Sequence, residues 1–174
     1  MPNDDYILAL VISVLAIALA LCGIILPVSD GDIIINPSCK AYGTGFQTVN
    51  HATWTEGVLT HVLWDECSDV DLANNQIVIS RNGSYLVTGQ GVLQLLGDGC
   101  KLLVGIFVND VQRAQNRFTV GASDTCGAGV ATLLKLWKGD YVQIKMYHNH
   151  GSPRSWYGGE NARDLGCQFL SDLS

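Results

Sequence analysis

The chain has 174 residues, enough for one domain with a sizeable core plus an appendage. Charged residues make up 15%, against roughly 25% in a typical soluble domain. The formal net charge is −6 and no cluster of Lys and Arg occurs, so a nucleic-acid partner, which requires one, is excluded.

The first predicted element is apolar. Residues 6–28, YILALVISVLAIALALCGIILPV, carry no charge and a single hydroxyl at Ser13. A helix of that length rises about 34 Å, enough to cross a hydrocarbon core, so residues 1–28 read as an N-terminal hydrophobic α-helix that anchors the chain. A signal peptide is the rival, with Ala18-Leu19-Ala20 as its cleavage site. Against it stand the acidic Asp4 and Asp5 where a basic stretch belongs, and an apolar run that is too long. A third reading buries the helix among protein neighbours in an assembly. No Lys or Arg precedes Lys40, so flanking charge gives no orientation. The cysteines of the body place it outside the cytosol.

Residues 29–38 form a linker, with Ser29-Asp30-Gly31-Asp32 and Asn36-Pro37-Ser38 as breaks around Ile33-Ile34-Ile35. From residue 39 to 174 the chain alternates in short stretches bounded by Gly, Asn and Asp, with no sustained helical period. Strands are predicted over 40–49, 58–65, 76–80, 84–96, 101–108, 111–120, 130–137, 141–148 and 166–173. Val58, Thr60, Val62 and Trp64 share one face of the second. Asn82-Gly83 and Asn109-Asp110 are tight hairpin signals, and Lys138-Gly139-Asp140 is a third turn. Short strands at this spacing predict an all-β, antiparallel sandwich or jelly roll.

Three stretches resemble the C1q/TNF-like jelly-roll superfamily. Gly83-Ser84-Tyr85-Leu86-Val87 is similar to its G-x-Y-x-[FV] strand. Leu134-Lys135-Leu136-Trp137-Lys138-Gly139-Asp140-Tyr141-Val142 is similar to its L-x-L-x-x-G-D-x-V hairpin, and Phe169-Leu170-Ser171-Asp172-Leu173 to its closing F-x-x-x-L strand. Ile106-Phe107-Val108-Asn109-Asp110 stands where the family has an apolar strand ending in Asn-Gly, with Asp110 replacing the glycine. Order and spacing match over roughly residues 41–173. Phe46 to Trp54 resembles the opening of the short C1q-like domains of phage and bacterial proteins. The Asp98-Gly99-Cys100 and Thr125-Cys126-Gly127 stretches depart from the pattern, and no collagen repeat precedes the head. The resemblance implies a homotrimer, with one sheet face of each protomer around a threefold axis, and function by binding without catalysis.

Five cysteines follow Cys22, so at least one is unpaired within a chain. Cys100 and Cys126, both in glycine-flanked loops, are the preferred disulfide. The resemblance makes Cys39 and Cys167 a second pair, because first and last strands are neighbours in jelly rolls. Buried thiols are the alternative. On a trimer axis His148 and His150 would offer six imidazoles to a divalent metal, the one cofactor the sequence suggests; the plainer reading is two solvent-facing loop histidines. Asp65, Glu66, Asp69 and Asp71 around Cys67 read as a solvated acidic loop without Ca²⁺-loop spacing. The long loop 149–163 is the predicted partner contact through Arg154, Trp156 and Tyr157, the alternative being that the two aromatics tuck against the sandwich.

These readings converge on a non-enzymatic, anchored, trimeric spike or attachment module on a membrane or virion surface. Residues 6–28 would meet lipid or capsid protein, and the head a receptor or glycan. The rivals are a capsid cement or decoration protein and a secreted ligand with a signal peptide.

Overall fold

The computed structural model describes residues 37–121 and 124–173. The predicted anchor 1–28 and nearly all of the predicted linker lie outside the described residues. Among the described residues there is no helix, and so none long and apolar enough to cross a membrane.

The strands are β1 (Ser38–Tyr42), β2 (Gln47–Val49), β3 (Thr55–Glu56), β4 (His61–Asp65), β5 (Val70–Asp71), β6 (Gln76–Val78), β7 (Gly83–Leu96), β8 (Lys101–Val108), β9 (Val111–Thr119), β10 (Asp124–Leu136), β11 (Tyr141–His148), β12 (Arg154–Trp156) and β13 (Arg163–Ser171). They form two antiparallel sheets. The first runs β2-β12-β7-β13-β1-β4, with β10 also paired to β7; the second runs β5-β6-β11-β8-β9, with β3 also paired to β11. Chain order crosses repeatedly between sheets, from β6 to β7, β7 to β8, β9 to β10 and β10 to β11. This is the wiring of a jelly roll.

Period-2 alternation accounts for the layers. Along β7 Tyr85, Val87 and Leu93 are buried while Leu86, Thr88 and Gln90 between them are half-exposed. Along β11 Val142, Ile144, Met146 and His148 face inward. With Leu102, Val104 and Ile106 of β8 and Leu165, Cys167 and Phe169 of β13 they make one core between the sheets. Tyr85 and Phe169 meet edge to face at 5.4 Å, an aromatic pair worth about 1 kcal/mol beyond its buried area.

Several expected elements differ. The first strand is broken between β1 and β2, where Gly45 takes a positive φ of 66°. β4 carries exposed side chains on both faces because it is the sheet's edge. Asn82-Gly83 is not a hairpin: β6 and β7 lie in different sheets. Gly83 is required there for close packing, since a Cβ would strike the Phe169 ring, and Asn82 Oδ1 accepts the Lys138 amide at 2.8 Å. Asn109 and Asp110, by contrast, turn β8 into β9 with φ of 50° and 62°, the left-handed pair of a type I′ turn.

Candidate interaction face

The outward face of the first sheet is built in rows by strand register. One row is Trp64, Lys40, Gly166, Thr88 and Ala131; the next is Ser38, Gln168, Leu86 and Leu133; a third holds Tyr42, Asp164, Gln90 and Gly129. Gly, Ala and Thr keep the middle of the face low. Leu133 rises from it 69% exposed, directly opposite Leu86, and Trp64 at the far edge is 44% exposed. Next to these lies a depression of about 420 Å³ lined by Lys40, Thr88, Gln90, Ala131, Asn161 and Asp164. Asp164 is only 3% exposed, and its Oδ2 stands 3.4 Å from Lys40 Nζ, an ion pair without the alignment of a hydrogen bond. Burial raises the Asp164 carboxyl above its ordinary range and the Lys40 ammonium opposes that rise. Methyl groups, amides and one ion pair make up this part of the face.

The predicted contact loop is divided by the fold. Residues 154–156 form β12, between β2 and β7, and Trp156 is wholly buried with Nε1 donating to the Ala162 carbonyl at 3.0 Å. Trp156 is thus a core side chain, the second of the two readings for it. Tyr157 is half-buried with its ring 5.0 Å from that of Phe46, which is 69% exposed. Phe46 is the surface aromatic that sequence reasoning did not single out. Arg154 Nη2 donates to His150 Nε2 at 2.6 Å.

The histidine pair lies at the end of β11 and in the turn that follows it. His148 is 0% exposed at the end of β11; its Nε2 donates to the Val49 carbonyl at 3.0 Å and its Nδ1 accepts the His150 amide at 3.2 Å. Both ring nitrogens are engaged, which leaves no lone pair for a metal, and no group of three metal-ligating side chains occurs among the described residues. Burial pushes the His148 imidazole down, and His150, His51 and Arg154 nearby add to the effect.

The acidic loop is structural. Asp65 accepts the amides of Asp69 and Val70 at 2.9 and 3.0 Å, Glu66 that of Ser38 at 2.9 Å, and Asp71 the side chain of Asn74 at 2.7 Å. Of the preferred disulfide pair, Cys100 lies in the β7–β8 turn and Cys126 stands opposite Leu93 on β10. The geometry brings together Cys39 and Cys167, directly opposed across β1 and β13 and both buried thiols.

No family model matches the sequence, and no curated protein is significantly similar to it. Solved structures are similar in fold. A TNF from S. frugiperda, Eiger, superposes with a TM-score of 0.60 at 16% identity, over 79% of this chain and 94% of its own. The globular domain of zebrafish complement 1qA gives 0.61 at 12% identity, over 79% and 99%. Murine APRIL at pH 5.0 gives 0.60 at 12%, over 77% and 98%. Together with the strand order, this gives the described domain a C1q/TNF-like jelly-roll fold.

Proposed function

We propose that the chain is a non-enzymatic binding protein whose head works as a homotrimer, the three copies meeting on the outward face of the first sheet. The observation that carries this is Leu133. A single exposed leucine needs no explanation, but this one stands directly opposite half-exposed Leu86 on a face of small side chains that a neighbour can approach closely. The trimer implied by the C1q/TNF resemblance uses one sheet face in the same way, with the same surface on every copy.

In this proposal residues 6–28 anchor the trimer in a membrane, or among capsid proteins of a virion, with the head outside the cytosol and presented to a receptor. Their uncharged run, long enough to span, supports the anchor. Light scattering on the full chain in mild detergent should give the mass of three chains; a one-chain mass at micromolar concentration would overturn the trimer. Extraction of the native protein by detergent and not by high salt tests the membrane setting. Release by salt alone points to the capsid-cement alternative.

A further inference from the structure

The second sheet has an outward face of different chemistry. On β11 Tyr141, Gln143, Lys145 and Tyr147 point away from the core, and β8 and β9 place Leu103 opposite Arg117 and Gly105 opposite Gln115. Trp54, just before β3, lies down across this sheet. It can do so because residue 105 is glycine: a Cβ there would be 3.1 Å from Trp54 Cη2 and 3.0 Å from Phe107 Cε2. The indole meets the Phe107 ring edge-on at 5.2 Å and the Tyr147 ring at 5.7 Å. Beside it is a cleft of about 250 Å³ lined by Trp54, Tyr147, Gln112, Gln115, Lys101 and Arg117.

The polar groups of the cleft are ordered. Gln112 Nε2 donates to Gln115 Oε1 at 2.9 Å, which fixes two side-chain amides at the rim. Lys145 is neutralised by Asp110 at 2.8 Å. The side chains of Lys101 and Arg117 have no acidic partner among the described residues, although the chain carries a net −6. Lys101 and Arg117, two cations at one end of an aromatic wall, complement a ligand that is apolar on one face and anionic at one end.

A track of phosphates would need many more cations than two. A purely apolar ligand would leave the amides and cations desolvated without partners. A pyranose carboxylic acid would match these groups: its C–H face would pack on Trp54 and Tyr147, its hydroxyls would bond the Gln112–Gln115 amides, and its carboxylate would pair with Arg117 and Lys101. On the same sheet face a further depression, bounded by Glu56, Asn74, Asn75, Tyr141 and Gln143, has amide-rich walls for neutral neighbouring sugars.

We propose that this cleft is a binding site for acidic saccharides of the uronic or sialic type. The site rests on the reading of the head as a binding module. It lies on the sheet opposite to the proposed trimer face, so the two stand or fall separately.

The test titrates the full chain in detergent with tetragalacturonate and with sialyllactose, using neutral cellotetraose as control, by calorimetry. At least one acidic probe is expected to bind saturably, more weakly as salt rises, with cellotetraose at least tenfold weaker. Arg117→Glu, at an exposed position, should lower acidic-probe affinity tenfold or more with an unchanged circular dichroism spectrum, and Gln115→Ala should lower it less. Absence of saturable binding by both acidic probes would overturn the site. So would equal binding of cellotetraose, or an Arg117→Glu protein that binds like wild type. The mass measured on the same samples separates the two ideas, since a trimer that binds no saccharide removes only this site.

Discussion

Arg163 holds its guanidinium 5.7 Å from the ring of Trp156, and both side chains are buried, at 1% and 0% exposure. Arg163 Nη2 donates to the Thr44 carbonyl at 2.9 Å and Nη1 to that of Trp156 at 3.4 Å, with no carboxylate in an ion pair with it among the described residues. Burial pulls the Arg163 pKa down from its usual value. The pair fastens the segment after β11 onto the sandwich. Trp156→Ala is therefore expected to cost about 3–5 kcal/mol through the cavity it leaves. Arg163→Ala should cost about 2–3 kcal/mol, through lost packing and an unpaired Thr44 carbonyl. Urea unfolding at fixed protein concentration reads both as a lower midpoint at unchanged slope.

His148 makes stability depend on pH. Its folded pKa lies below the unfolded value of 6.5, so the unfolded chain binds the extra proton. Its contribution is fully present above about pH 6.5 and is lost as pH falls below that, with a limiting slope of about 1.4 kcal/mol per pH unit for one proton. Protonating Nδ1 would also break the bond from the His150 amide. The urea midpoint should drop between pH 7.5 and 5. In His148→Gln the drop should shrink; an unchanged drop would assign the acid sensitivity to other groups.

Cys39 and Cys167 should be the last thiols to react. Cys167 is held well above the ordinary thiol pKa, first by its hydrogen bond with Cys39 and then by burial, so almost no thiolate is present near neutrality. Half-buried Cys67 and Cys100 should be alkylated first in the native protein, and Cys39 and Cys167 only as urea unfolds it. Peptide mass mapping after timed iodoacetamide treatment reads the order. A Cys39–Cys167 disulfide in the unreduced map would contradict the thiol state.

Long strands were legible in the sequence because alternation repeats many times within them. The predicted 101–108 and 141–148 coincide with β8 and β11, and 84–96 with all but the first residue of β7. Thr55–Glu56, Val70–Asp71 and Arg154–Trp156 were not, because strands of two or three residues are defined by their partners and not by their own composition. Trp156 between Ser155 and Tyr157 has the local composition of a surface loop; pairing of β12 with β2 and β7 is what buries it. Trp54 and Tyr147 belong to segments far apart in the chain, and only the β3–β11 pairing brings them to one cleft. The exposure of Leu133 was equally hidden, since Leu133-Leu134 reads as apolar on both faces until β10 is placed beside β7.

The trimer face is tested most directly by sedimentation equilibrium of the full chain in density-matched detergent, comparing wild type with Leu133→Glu and Val111→Glu. Val111 is 51% exposed on the second sheet and serves as the control for an added charge. Wild type and Val111→Glu should sediment as three chains, and Leu133→Glu as one chain with an unchanged circular dichroism spectrum. A wild-type monomer, or a Leu133→Glu protein that remains trimeric, would contradict the account.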